Sequence, residues 1–376
     1  MRFRPLFLFL CYLMLPESLL AFDQDAAIRS MAAAALCLVA GLIIGRHAIA
    51  WLKRHFREPI KSISPTVVRL HQHKSQTPTM GGLFIVAGVV VSTLFCGDLH
   101  DIRLWFGLLT AACFATIGLI DDLVKLRTSR RGISARGKLL AQIGVAIPIA
   151  LLLMGIEPDA NVGSLAANVF VLILAANAVN LTDGLDGLAG GCGLITSATF
   201  AVILLFSNVP QLGVVAGALS GALAAFLYFN RYPARVFMGD TGSQAIGGLL
   251  GYFAIVSGGW WVFAIVGGVF LIEVASVVLQ LTSYQLRGKR FFLCAPLHHH
   301  FQFAGWSEPK IVRLFWVGSL VFSVSGLGFA PAQFNIGLLN KSSSPDGNLS
   351  TRSGVQQVHA ERKELNLPTG VAALVH

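Results

Sequence analysis

The sequence predicts an all-α polytopic membrane protein of about ten transmembrane helices with its active site on the cytoplasmic face. Three observations carry this expectation. Of the 376 residues, 55% are hydrophobic and only 12% are charged, about half the charged share of an ordinary soluble domain. The mean hydropathy is +0.71, and ten stretches approach the roughly 20 apolar residues that cross a hydrocarbon layer. The basic residues of the connecting loops fall almost wholly on one side. This composition argues against a soluble enzyme, a nucleic-acid-binding module and a disordered chain. The formal charge of +10 then orients the chain in a membrane, and no nucleic-acid partner is expected.

The elements follow in order. Residues 6–20 are short, contain Pro16 and Glu17, and follow the basic start Met1-Arg2-Phe3-Arg4. The segment 1–22 therefore looks like a signal-like or interfacial N-terminal piece rather than a span. The spans are expected at 27–51, 79–96, 104–120, 138–155, 164–181, 188–206, 211–229, 243–258, 260–284 and 311–329, within a membrane domain 27–329. If the first runs inward, the loops at 52–78, 121–138, 230–242 and 285–310 hold 18 Lys and Arg, and the opposite loops hold one, Arg103. That asymmetry places those four loops in the cytoplasm. Gly247-Gly248 and Gly267-Gly268 are expected where helices pack closely. No internal repeat is apparent, which disfavours an inverted-repeat transporter. The six cysteines form no CxxC pair and sit mostly in apolar runs, so neither a disulfide framework nor a zinc site is implied. Residues 330–376 are polar and read as a flexible external tail.

The acids are placed unevenly. Asp121 and Asp122 end the third span. Asp183 and Asp186 follow the fifth, in Asn180-Leu-Thr-Asp-Gly-Leu-Asp-Gly. Asp240 follows the seventh, in Phe237-Met-Gly-Asp-Thr-Gly-Ser. All five are expected at one membrane face, each beside glycines or basic residues, and Gly184, Gly187, Gly239 and Gly242 permit tight turns and close approach to a ligand. Hard oxygen ligands suit Mg²⁺, which takes one or two carboxylates together with phosphate oxygens and water. The same face carries Lys74, Lys125, Arg127, Arg130, Arg131, Arg136 and Lys138, and the triplet His298-His299-His300. Acids that hold a metal among bases that hold phosphates suit phosphoryl transfer, where catalysis is mainly positioning and charge neutralisation. Adjacent histidines on one helix cannot all face a zinc ion, so phosphate contact or proton transfer is the better expectation for them. Glu273 lies inside a span. It marks either a functional site or a buried hydrogen bond to a polar neighbour.

Five stretches together resemble the polyprenyl-phosphate N-acetylhexosamine-1-phosphate transferase superfamily: Thr77-Pro-Thr-Met-Gly-Gly, Asp121-Asp122, Asn177-Ala-Val-Asn-Leu-Thr-Asp-Gly-Leu-Asp-Gly-Leu-Ala, Ala234-Arg-Val-Phe-Met-Gly-Asp-Thr-Gly-Ser and Ala295-Pro-Leu-His-His-His-Phe. The Pro-Thr-Met-Gly-Gly box and the His triplet are similar to its phospho-N-acetylmuramoyl-pentapeptide transferase branch. The resemblance implies a ten-helix membrane enzyme of the bacterial cytoplasmic (inner) membrane. It would take UDP-N-acetylmuramoyl-pentapeptide and undecaprenyl phosphate, use Mg²⁺, release UMP and make lipid I. It also implies roles. Asp240 would bind Mg²⁺, and Asp121 and Asp122 would activate the lipid phosphate or help hold metal and phosphates. Lys74, Thr79, Asn180, Asp183, Asp186, Asn230, Phe237 and Ser243 would line the nucleotide-sugar pocket. Gln280, His298 and His299 would complete its far side, the two histidines as catalytic groups, with His300 as a further substrate contact. Membrane lipid is an expected partner, and a homodimer is one allowed assembly. One-step attack by the lipid phosphate is preferred over a phospho-aspartyl intermediate. The competing activities are a GlcNAc-1-phosphate transferase and a transporter. The chain departs from the family at Gln76, at Gln302 and in its longer tail, which bears on loop conformation and on the stem peptide's third residue.

Overall fold

Local sequence sets where the helices begin. Asp23, Asp101 and Ser134 each accept a hydrogen bond from a first-turn backbone N–H, at 2.9, 2.9 and 3.1 Å, and Asn161 closes a reciprocal capping box with Ser164. A helix start leaves such donors unsatisfied unless a side chain meets them. In this computed structural model, residues 23–56, 77–128, 132–156, 161–207 and 209–342 are described. They contain twelve helices and no strand. These are α1 (Gln24–His55), α2 (Gly82–Cys96), α3 (Ile102–Arg127), α4 (Ala135–Met154), α5 (Val162–Thr182), α6 (Leu188–Leu205), α7 (Leu212–Asn230), α8 (Gly239–Val256), α9 (Trp260–Val266), α10 (Gly268–Arg287), α11 (Leu297–Phe303) and α12 (Glu308–Ser342). The chain divides into two compact units, Met1–Ala330 and Pro331–His376. The second is described only over the turns of α12 that reach Ser342. The expected N-terminal segment 1–22, and the tail beyond Ser342, lie outside the described residues.

The all-helical membrane architecture is the expected one, and the helices differ from the expected spans in three ways. Among the described residues, eight helices are long and apolar enough to cross a membrane: α1, α3, α4, α5, α6, α7, α10 and α12. The expected spans 79–96 and 243–258 fall short of that standard. Helix α2 has only 15 residues, and α8 spends its first two turns on the polar run Gly239-Asp-Thr-Gly-Ser-Gln. The span expected over 260–284 is broken into α9 and α10 at Gly267-Gly268, where two adjacent residues of very low helix propensity meet. Third, α3 runs on to Arg127 and α8 begins at Gly239. Asp121, Asp122 and Asp240 are therefore helical residues at helix ends, not loop residues.

Helix α8 is the centre of the first unit. Every residue from Thr241 to Ile255 is buried, against α3, α5, α2 and α6. Close approach through small residues makes this possible in a membrane, where apolar side chains gain little by leaving lipid. A Cβ on Gly247 would meet the backbone of Ala175 at 2.5 Å, and one on Gly248 would meet the Phe114 ring at 2.8 Å. Gly217 and Gly221 of α7 likewise admit the backbone of α1 at Ser30 and Ala34. Several polar groups in this core are paired. Gln142 of α4 donates to Gln244 of α8 and accepts from Asn177 of α5, both at 2.8 Å. Tyr252 donates to the Arg103 carbonyl at 2.6 Å. Such pairing offsets the desolvation of buried polar atoms.

Candidate functional site

The C-terminal end of α3 meets the N-terminal end of α8 in a cluster of three carboxylates and two ammonium groups. Lys125 sits four residues after Asp121 and three after Asp122, so all three share one face of α3. Its Nζ lies 2.8 Å from Asp121, 3.8 Å from Asp122 and 2.6 Å from Asp240. Lys138, on the first turn of α4, pairs with Asp240 Oδ2, stands 3.9 Å from Asp121 and donates to Asn180 Oδ1 at 3.2 Å. Asn180 in turn donates to Ser243 Oγ at 2.8 Å. Three negative charges facing two positive ones leave a surplus that favours a further cation.

The two adjacent aspartates do different work. Asp122 accepts the backbone N–H groups of Asp240 and Thr241, each at 2.9 Å, and the Thr241 hydroxyl at 2.7 Å. It caps α8 from another helix, where the N-terminal dipole favours an anion. Asp121 accepts the Ile133 N–H at 2.7 Å and otherwise faces the lysines. The approach of α3 to α8 is set by Gly118, because any Cβ there would collide with the Asp240 carbonyl. Gly239, at φ 76, turns the chain into α8 in the left-handed region that glycine occupies without strain.

The flanking loops converge on this end. Phe237 donates its N–H to the Pro78 carbonyl at 2.8 Å and accepts from Gly81 N–H at 2.9 Å, so the Thr77–Gly82 box is stitched to the loop before Asp240. Thr79 is buried within it. Asp183 caps α5 and is half-buried. Burial, then the negative charges of Asp240 and Asp122, push its carboxyl up to about 7. Asp186 is a buried latch: its carboxylate accepts Ala234 N–H at 2.9 Å, and its own N–H donates to Glu308 at 2.6 Å. Asn230 is another, accepting from Gly187 N–H at 2.9 Å and donating to Val236 at 2.8 Å.

The sequence-expected residues therefore divide. Asp121, Asp122, Asp240, Asn180 and Ser243 are brought into direct contact. Asp183, Asp186, Asn230, Phe237 and Thr79 build the loops around them, and Lys74 lies outside the described residues. Gln280 clamps the chain after α10, accepting from Phe291 and Phe292 N–H at 3.0 and 2.8 Å. His300 accepts from Leu293 N–H at 3.2 Å, and His299 pairs with Gln302 at 2.7 Å. His298 is fully buried. Its Nδ1 lies 3.3 Å from Glu273 Oε1, its N–H donates to the same oxygen at 3.2 Å, and its ring packs on Gly184. The intramembrane Glu273 is thus joined to the Asp183–Asp186 turn through a histidine. Lys125 and Lys138 are the contacts that sequence reasoning left among the general basic residues. The spacing of Lys125 from the Asp pair was the available signal; for Lys138 there was none.

Among the described residues no group of three or more His, Cys, Asp or Glu converges as a metal cage. Mg²⁺ rarely needs one, since it retains water and takes substrate phosphates beside one or two carboxylates. The hard, negatively charged oxygens at Asp240 and Asp121 fit that chemistry.

Comparison with known proteins finds relatives over most of the chain. Residues 104–258 match the family model described as glycosyl transferase family 4. A phospho-N-acetylmuramoyl-pentapeptide-transferase of Koribacter versatilis is 38% identical over 349 residues, covering 80% of this chain and 91% of that protein. The protein of the same name from Halalkalibacterium halodurans is 38% identical over 307 residues, 77% and 94% of the two chains. That of Desulforudis audaxviator is 40% identical over 326 residues, 79% and 97%.

Proposed function

The chain belongs to the phospho-N-acetylmuramoyl-pentapeptide-transferase family, and from that premise we propose the reaction and the roles of its residues. The enzyme transfers phospho-N-acetylmuramoyl-pentapeptide from its UDP-linked donor to undecaprenyl phosphate, giving lipid I and UMP. An oxygen of the lipid phosphate attacks the phosphorus that bears the sugar. A new P–O bond forms there, and the bridging P–O bond breaks, its electron pair leaving with UMP.

The observation that carries the residue assignment is the contact of Asp121, Asp122 and Asp240 with Lys125 and Lys138. Attacking phosphate and diphosphate are both anionic, so their approach is the main electrostatic obstacle. Lys125 and Lys138 offset it and orient the phosphates. Asp240 and Asp121 would hold Mg²⁺, which when bound neutralises the diphosphate and polarises its P–O bonds. Asp122, whose oxygens are engaged with α8, keeps that helix end in place. These engagements support one-step attack, because a nucleophilic aspartate needs a free oxygen. Asp183 and the Asn180–Ser243 pair form the adjoining wall for the nucleotide sugar. The one-sided basic loops support a bacterial inner-membrane enzyme with this site on the cytoplasmic side, where a soluble donor is available. Neither the geometry nor the relatives' names support a homodimer.

UMP release by purified protein tests the reading, with UDP-N-acetylmuramoyl-pentapeptide or UDP-GlcNAc as donor and undecaprenyl phosphate as acceptor. Turnover is expected with the first donor alone and only with Mg²⁺. Turnover only with UDP-GlcNAc would assign the chain to the other branch of the superfamily.

A further inference from the structure

An apolar groove of about 240 Å³ runs between α1, α2 and α7. Leu36, Gly41, Ile44, Phe84, Gly88 and Phe229 line it. Its lips are exposed: Ile44 is 53% and Val91 48% accessible, so in a membrane it opens sideways to lipid. Beside one end of the groove, where Phe229 and Val236 line it, two arginines stack on Tyr228 and a third, Arg46, lies on α1 nearby. The guanidinium carbons of Arg231 and Arg235 stand 5.3 and 5.4 Å from its ring centre, and that of Arg235 stands 5.4 Å from Phe229. Arg46 follows Gly45, which lines the groove and lies so close to the Phe229 ring that any Cβ there would strike it, so Arg46 belongs to the same end. All three arginines are exposed. Among the described residues none of them forms an ion pair with a carboxylate.

We propose that this groove and its arginines bind one anionic phospholipid, the headgroup phosphate on Arg46, Arg235 and Tyr228 and one acyl chain along α1. Two features fix the occupant. Guanidinium groups bind phosphate oxygens in forked geometry, and basic side chains at a membrane surface select anionic lipids. The groove's length does the rest. From Arg46 back to Leu36 is ten residues of helix, roughly 15 Å, the depth of one leaflet of a hydrocarbon core about 30 Å thick. That suits an ordinary acyl chain better than the much longer chain of a polyprenyl phosphate. The site is independent of the transferase assignment, since it uses none of the residues that would carry turnover.

The test is lipid retention by the full chain, delipidated in detergent and then offered vesicles of phosphatidylglycerol or phosphatidylcholine with identical acyl chains. Bound lipid is counted by native mass spectrometry. Wild type is expected to retain phosphatidylglycerol at least tenfold over phosphatidylcholine. The double variant Arg46→Gln, Arg235→Gln should lose most of that preference. Gly88→Leu should lower phosphatidylglycerol retention at least fivefold by filling the groove. Its Cβ meets only ordinary contacts, Cys37 Sγ at 3.7 Å and Ala222 at 4.0 Å, so this variant remains informative if the arginine variant fails to fold. Equal retention of the two lipids by wild type would overturn the proposal. So would displacement of phosphatidylglycerol by equimolar undecaprenyl phosphate, which would give the groove to the acceptor. Cross-linking of a cysteine at Phe84 to residues 1–22, or to a second copy, would give it to protein and equally overturn it.

Discussion

Asp240 is the residue on which the proposed chemistry turns. Asp240→Asn keeps the shape of the side chain but removes the charge that pairs with two lysines and that, on the proposed function, would hold a divalent ion. UMP release should fall by a factor on the order of a hundred or more, while elution and thermal unfolding in detergent stay near wild type. Retained activity would remove Asp240 from the metal site. Asp183 carries a pH prediction. Its carboxyl, ordinarily near 3.8, is pushed up to about 7. Between those values the folded chain keeps a proton that the unfolded chain has released. Folding is therefore favoured at the acid end and loses stability as pH rises through 7. Asp183→Asn removes that titration. Its Tm, measured in detergent with a chelator, should gain on wild type between about pH 5 and 8 by on the order of a few degrees; a constant difference would show that Asp183 does not titrate there. At this scale the acids were legible, because five carboxylates beside glycines or basic residues stand out in a chain with 12% charged residues. What was not legible is the division of labour inside the pair. Adjacent residues in sequence, Asp121 and Asp122, point to different partners, and only the docking of α8 decides that Asp122 is a cap.

Between elements, the contact that matters most is α3 against α8. Gly118 sits where a methyl group would strike the Asp240 carbonyl, with backbone on both sides and no flexible side chain to yield. Gly118→Ala should therefore shift α8 or strain it, at about 1–3 kcal/mol of stability, and lower kcat more than KM for the donor. Loss of Tm with unchanged kcat would mean that the site tolerates the shift. Asp122→Asn should also lower Tm, since an inter-helix cap is worth about 0.5–2 kcal/mol. The sequence marked the helices well, because an uninterrupted apolar run near 20 residues is long enough to cross a bilayer and too long for most strands. It marked their ends less well. Hydropathy falls wherever acids appear, so the expected third and eighth spans stopped short of Asp121 and started beyond Asp240, although both aspartates are helical. The break at Gly267-Gly268 was masked for the opposite reason: both flanks are apolar, and the average over 260–284 hides the interruption.

For the molecule as a whole, the proposal requires one orientation. Cysteines substituted near residues 183, 240 and 299 should be shielded from an impermeant reagent added outside intact cells, and those near 98 and 159 should react. External labelling of residues 240 and 183 together would invert the map and put the site out of reach of a cytoplasmic donor. The loop asymmetry that predicts this orientation was legible in the sequence, but the folding of three distant loops around one helix end was not, because that convergence depends on glycine-to-backbone contacts that hydropathy does not register. The lysine grip on Asp240 has a further consequence. On the proposed function, an ion held by Asp240 and Asp121 would share those carboxylates with Lys125 and Lys138, and ammonium groups it displaced would be available to the donor's phosphates. Cation and nucleotide should accordingly assist one another, and by thermodynamic reciprocity each must raise the other's affinity by the same factor. Titration of Mg²⁺ should show weak binding to the protein alone and binding tighter by at least about fivefold with a saturating donor, with the donor's Kd falling by the same factor in the reverse titration.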